Sequence, residues 1–97
     1  MLQKTDKKAV HITVHGEVQG VGFRYFTLRT AKALRLVGWV RNCSDGTVEI
    51  WAEGPSQALQ KLLGAVRAGP GMGYVSHLDI QWVASTAKFR DFRIRYL

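Results

Sequence analysis

Arg24 closes a run whose residue types fit one kind of chemistry. Gly16-Glu17-Val18-Gln19-Gly20-Val21-Gly22-Phe23-Arg24 follows an alternating apolar stretch and leads into a helix-like segment. A glycine-containing loop at a helix start leaves backbone N–H groups free to point at an anion. An arginine beside it adds a planar fork that meets a phosphoryl group with two parallel hydrogen bonds. Gln19, Gly20, Val21, Gly22, Phe23 and Arg24 therefore form a candidate cradle for a phosphate-sized anion. The run lacks the third glycine of a dinucleotide fingerprint and the Gly-Lys-Ser/Thr of a Walker loop.

Other residues with chemical potential read more plainly. His11 and His15 share one strand face and could in principle ligate a metal, but no third ligand is evident and solvent-facing histidines are expected. Cys43 has no histidine beside it in sequence and reads as a small loop residue. Asn42 could simply begin a hairpin turn. Val18, Val21 and Phe23 read as packing anchors, Gln19 and Gly22 as residues that shape the loop, and Arg41 as a solvated strand residue.

The elements that must position these residues follow from periodicity. Val10, Ile12 and Val14 alternate with His11, Thr13 and His15, the period of a half-buried strand. Arg24 to Leu36 lacks Gly and Pro and puts Phe23, Thr27, Ala31 and Leu34 on one helical face. Val37 to Asn42 reads as a short strand, and Asp45-Gly46 as a hairpin turn into a strand from Thr47 to Glu53. Pro55 suits the first turn of a second helix, whose Leu59, Leu62, Leu63 and Val66 form an amphipathic stripe. Gly69-Pro70 stops it. Leu78, Ile80 and Trp82 alternate in a fourth strand, and Phe92, Ile94 and Tyr96 in a fifth. This order predicts an α+β fold: a ferredoxin-like βαββαβ sandwich with an antiparallel sheet, two helices on one face and a fifth C-terminal strand.

Composition sets bounds. Ninety-seven residues, 46% of them hydrophobic, make one two-layer core. With one cysteine there is no internal disulfide and no cysteine metal cluster. Met1 to Lys8 is polar with three lysines, so no signal-like apolar segment is expected there, and no run approaches the ~18 apolar residues of a membrane span. A reduced cytoplasmic compartment is the expectation. The net charge of +7 attracts anions, large or small.

Two separated segments make the chain resemble the acylphosphatase family. One is the loop from Gly16 to Arg24; the other is Gly38-Trp39-Val40-Arg41-Asn42 followed by Asp45-Gly46 and Val48. The likeness runs from about residue 9 to the C-terminus, so the expected division is a flexible basic tail over 1–8 and a single acylphosphatase-like domain over 9–97. The turn Gly69-Pro70-Gly71-Met72-Gly73 departs from the family's pattern. The resemblance implies hydrolysis of acyl phosphates to a carboxylate and inorganic phosphate, with neither metal nor cofactor. It implies that the loop amides and Arg24 hold the phosphate and that Asn42 positions the attacking water. An amide that both donates and accepts can orient water without titrating. Inorganic phosphate is then product and inhibitor, and the protein a monomer with no membrane partner and no specific nucleic acid.

Two other functions compete. The same topology serves RNA-binding modules, which stack bases on exposed aromatics of the first and third strands. Here those strands offer His11, Thr13 and His15, and only Trp51. A non-catalytic domain that binds acyl or carbamoyl phosphate within a larger enzyme is the other. The chain carries no zinc-finger extension, so a stand-alone enzyme is the expectation.

Overall fold

The computed structural model describes residues 6–96. Its elements are β1 (Lys7–Glu17), α1 (Phe23–Ala33), β2 (Val37–Asn42), β3 (Val48–Pro55), α2 (Ser56–Ala68), β4 (Tyr74–Ala84) and β5 (Phe92–Arg95). The strands form one sheet in the order β4-β1-β3-β2-β5. Alternation places Val10, Ile12 and Val14 of β1 and Val48, Ile50 and Ala52 of β3 on the buried face. Phe23 and Ala31 of α1 and Leu59, Leu62, Leu63 and Val66 of α2 join them in a single core. Each large apolar side chain so buried stabilises the fold by about 1.5–3 kcal/mol.

Pairing of β1 with β3 and β4, and of β2 with β3, is antiparallel, as the element order predicts. The fifth strand differs: β5 lies parallel to β2 at the far edge, so the sheet is mixed. Connectivity explains this. β4 runs opposite to β1, and the chain crosses from one sheet edge to the other before turning back. A strand that reverses β4 must run parallel to β1 and β2.

Three boundaries shift from the sequence expectation. β1 starts at Lys7, so Lys7 and Lys8 pair with Pro55 and Gly54 within the sheet; residues 1–5 of the expected tail lie outside the described residues. α1 ends at Ala33 rather than Leu36. Arg35 takes φ 59°, and the Leu36 N–H bonds back to the Ala31 carbonyl at 2.9 Å, a left-handed helix closure made without glycine. Pro55 sits one residue ahead of α2 in extended geometry. Trp82 and Tyr96, the last residues of the two expected alternations, are exposed.

One consequence of topology matters most. β1 and β2 run in the same direction on either side of β3. Their C-terminal ends therefore share one end of the sheet. The loop after Glu17, the start of α1 and Asn42 all lie there.

Candidate active site

The loop from Val18 to Gly22 takes the chain from β1 into α1. Gly20 and Gly22 adopt φ 76° and 79°, the left-handed region that only glycine enters freely. A Cβ at either would meet open space, so the cost of another residue there is backbone strain. Gly22 caps α1, and no side chain occupies the cap. The first helical bond runs from Phe26 N–H to the Gly22 carbonyl at 3.0 Å, which leaves the earlier amides of the first turn without helical partners. The amides of residues 19–22 likewise donate to no backbone carbonyl among the described residues. No acidic residue sits in that first turn. The positive end of the helix dipole and a set of free N–H groups thus converge on one spot.

Arg24 stands beside them on α1. Its guanidinium carbon lies 5.1 Å from the centroid of the Tyr96 ring, a cation–π contact that props the fork without neutralising it. Among the described residues no carboxylate pairs with Arg24. A small cavity of about 60 Å³ is lined by Val18, Gly20, Gly22, Phe23, Arg24, Tyr25 and Asn42. So small a space suits an inorganic anion better than a cofactor.

Asn42 ends β2 and enters the cavity from the opposite side. Its Oδ1 is buried and has no hydrogen-bond partner among the described residues. Leaving a buried acceptor unmade costs about 1–3 kcal/mol, so such an atom calls for a reason. The turn that follows is held tightly. Cys43 N–H donates to the Thr47 carbonyl, Gly46 N–H to the Cys43 carbonyl, and Asp45 Oδ1 accepts from the amide and hydroxyl of Thr47 at 3.0 and 2.6 Å. Those Thr47 hydrogen bonds hold the Asp45 carboxyl below its ordinary range.

The sequence reads Gln19 as a loop-shaping member of the anion cradle, and its side chain does shape the loop. Its Nε2 donates to the carbonyls of Cys43 and Thr47 at 2.8 and 2.9 Å. This bridge ties the loop to the β2–β3 turn and so fixes Asn42 relative to the free amides. Val18 and Phe23 are buried, and Val21 packs against the core. The loop thus hangs from apolar anchors and is latched by one amide.

Arg41 and His11, expected in solvent, are half-buried and meet on Glu49. Arg41 Nε donates to Glu49 Oε1 at 2.7 Å, and His11 Nε2 lies 2.6 Å from Oε2. Burial pushes the Glu49 carboxyl up, but these hydrogen bonds and charges outweigh it and hold it below its ordinary value. Trp51, the aromatic that an RNA platform would need, donates to Glu53 at 2.7 Å. The outer sheet face is mixed in charge, with Arg41, Arg93 and Arg95 on the same face as Glu49, and Trp51 is tied to Glu53 rather than free to stack a base.

The sequence model of the acylphosphatase family matches residues 10–94. The acylphosphatase of Bifidobacterium longum is 49% identical, over 98% of this chain and 99% of that protein. That of Salinibacter ruber is 47% identical, over 92% of this chain and 94% of its own length. The crystal structure of the Bacillus subtilis acylphosphatase superposes with a TM-score of 0.89 at 43% identity, covering 92% of this chain and 99% of that one. Fold, the two segments and overall likeness agree, and the chain belongs to the acylphosphatase family.

Proposed function

We propose that acyl phosphates are hydrolysed in the cavity between the Val18–Gly22 loop and Asn42, by direct attack of water on phosphorus. The enzyme is an acylphosphatase; its products are a carboxylate and inorganic phosphate. The loop amides from Gln19 to Phe23 and the Arg24 fork hold the phosphoryl oxygens. Asn42 Oδ1 accepts a hydrogen bond from the water and aims its oxygen at phosphorus, opposite the acyl oxygen. The new P–O bond forms as the P–O(acyl) bond breaks, and the carboxylate leaves with the electron pair. The water's proton passes to a phosphoryl oxygen. The observation that carries this reading is the buried, unpartnered Oδ1 of Asn42 in the same cavity as Arg24.

Chemistry supports the division of labour. Phosphoryl transfer through a loose transition state depends on positioning and charge stabilisation, and a carboxylate leaves without a strong acid. No histidine, cysteine or carboxylate lines the cavity, so the donor set suits an anion and offers nothing typical of a metal centre. The charge of +7 draws anionic substrate toward it. The engagement of Trp51 with Glu53, which removes the aromatic an RNA platform would use on the third strand, supports a small-molecule substrate over nucleic acid. A reduced cytoplasm is proposed with it, supported by the single free thiol of Cys43. No helix among the described residues is long and apolar enough to cross a membrane.

The test is hydrolysis of benzoyl phosphate and acetyl phosphate by the purified protein, with and without EDTA. Equal turnover in both conditions is expected, with inorganic phosphate a competitive inhibitor. Turnover lost to EDTA and restored by a divalent ion would contradict the metal-free mechanism. Inertness toward both substrates would contradict the activity.

A further inference from the structure

His15, His77 and Asp79 come together on the sheet face that points away from the helices, outside the cavity described above. His15 lies on β1 directly opposite His77 on β4, and Thr13 lies opposite Asp79. Asp79 is thus the diagonal neighbour of His15 and sits on the same face two residues along from His77. The two imidazole rings are 5.1 Å apart, centroid to centroid. Both turn Nε2 onto one carboxylate: His15 at 2.8 Å from Asp79 Oδ2, His77 at 2.7 Å from Oδ1. The three candidate donor atoms lie within 4.8 Å of one another. These are two of only three histidines in the chain, and the third, His11, is engaged with Glu49.

We propose that His15, His77 and Asp79 form a binding site for a borderline divalent transition cation such as Zn²⁺. Two imidazoles and a carboxylate are the donor set that such ions prefer over Mg²⁺ or Ca²⁺. Metal–ligand lengths of ~2.0–2.2 Å in tetrahedral geometry separate the donors by roughly 3.3 Å. All three side chains are partly exposed, so small rotations close the remaining gap, and water completes the coordination. The bound ion takes the place of the two Nε2–carboxylate hydrogen bonds, each imidazole binding in its neutral form. It clamps β4, an edge strand, onto β1. His15 is the last residue paired before a bulge at Gly16, and all three ligands stand on paired strands rather than on a loop.

The experiment is Zn²⁺ titration of the full chain by calorimetry, with histidine side-chain NMR and thermal unfolding on the same samples. One equivalent is expected to bind, to shift the His15 and His77 signals together and to raise Tm. His77→Ala and Asp79→Asn should each weaken binding at least tenfold, the lower end of what even a supporting group costs a metal site. His11→Ala should leave affinity unchanged, and His77→Ala should hydrolyse benzoyl phosphate at the parent rate, which certifies its fold. Absence of binding at submillimolar Zn²⁺ overturns the proposal. So does binding that His77→Ala leaves intact, or that His11→Ala abolishes.

Discussion

Two regions of the molecule handle their polar groups in opposite ways. At the cavity, the first-turn amides of α1 lack helical partners, Arg24 has no carboxylate partner among the described residues, and Asn42 Oδ1 is buried without a bond. On the outer face, Glu49 takes both His11 and Arg41, and Glu53 accepts from Trp51 Nε1, Ser85 Oγ, the amide and hydroxyl of Thr86, and Ala87 N–H. Groups that are already satisfied stabilise the fold; groups held apart from partners await a ligand. On the proposed mechanism the contrast separates a structural arginine, Arg41, from a functional one, Arg24, although both lie beside signature residues.

The largest expected effect comes from removing the cation of the cavity. Arg24→Ala should lower kcat/KM by roughly 10³-fold or more, the scale for losing an arginine that neutralises a phosphoryl transition state. Arg24→Lys should recover little, since a point charge does not reproduce the bidentate fork. By contrast Arg41→Ala should change stability and leave catalysis nearly intact. If the two arginine variants lose activity equally, the distinction between paired and unpaired groups fails.

Glu53 probes the satisfied region. Burial pushes its carboxyl up, while hydrogen bonds from Thr86, Trp51 and Ser85 outweigh that and hold it below the ordinary 4.5. A depressed carboxyl contributes stability that is present above about pH 4.5 and is lost as pH falls through its lower folded value. Glu53→Gln should therefore cost about 2 kcal/mol at neutral pH, the scale for a hydrogen bond to a charged group. The gap to the parent protein should close in acid. Denaturant unfolding across pH 3–7 measures this, and turnover per folded molecule should not change. A gap that widens in acid would contradict the sign.

The smallest effect belongs to the latch. Gln19→Ala removes two hydrogen bonds between the loop and the β2–β3 turn. It should lower kcat by less than about tenfold, consistent with a net ~1 kcal/mol for a neutral hydrogen bond. A loss as large as that of Arg24→Ala would mean that Gln19 touches substrate rather than positions the loop.

Local patterns carried much of the fold. The bounds of β2 and the buried stripe of α2 follow from periodicity and glycine placement alone, and so does the face that Val10, Ile12 and Val14 present to the core. The glycine loop and Arg24 were legible because their chemistry is concentrated in nine consecutive residues. What escaped were relations set by register. Nothing near Gln19 in sequence says that its amide reaches Cys43 and Thr47. The third ligand beside His15, Asp79, lies on another strand and becomes visible only when His15 pairs with His77. The early end of α1 escaped for a different reason: Arg35 closes it in a conformation for which sequence signals look for glycine or asparagine. The direction of β5 depends on where β4 ends, which no window within β5 contains.

The central claim is that two side chains of the cavity act on different partners: Arg24 on the phosphoryl group, Asn42 on the water. The most direct measurement sets the inhibition constant of inorganic phosphate beside kcat for the parent protein, Arg24→Ala and Asn42→Ala, each shown to be folded by circular dichroism. Arg24→Ala should lose both phosphate affinity and turnover. Asn42→Ala should lose roughly 10²-fold in kcat, the scale of one preorganised polar group, with its phosphate inhibition constant nearly unchanged. An Asn42→Ala enzyme that turns over near normally, or that loses phosphate affinity as severely as Arg24→Ala, contradicts the account.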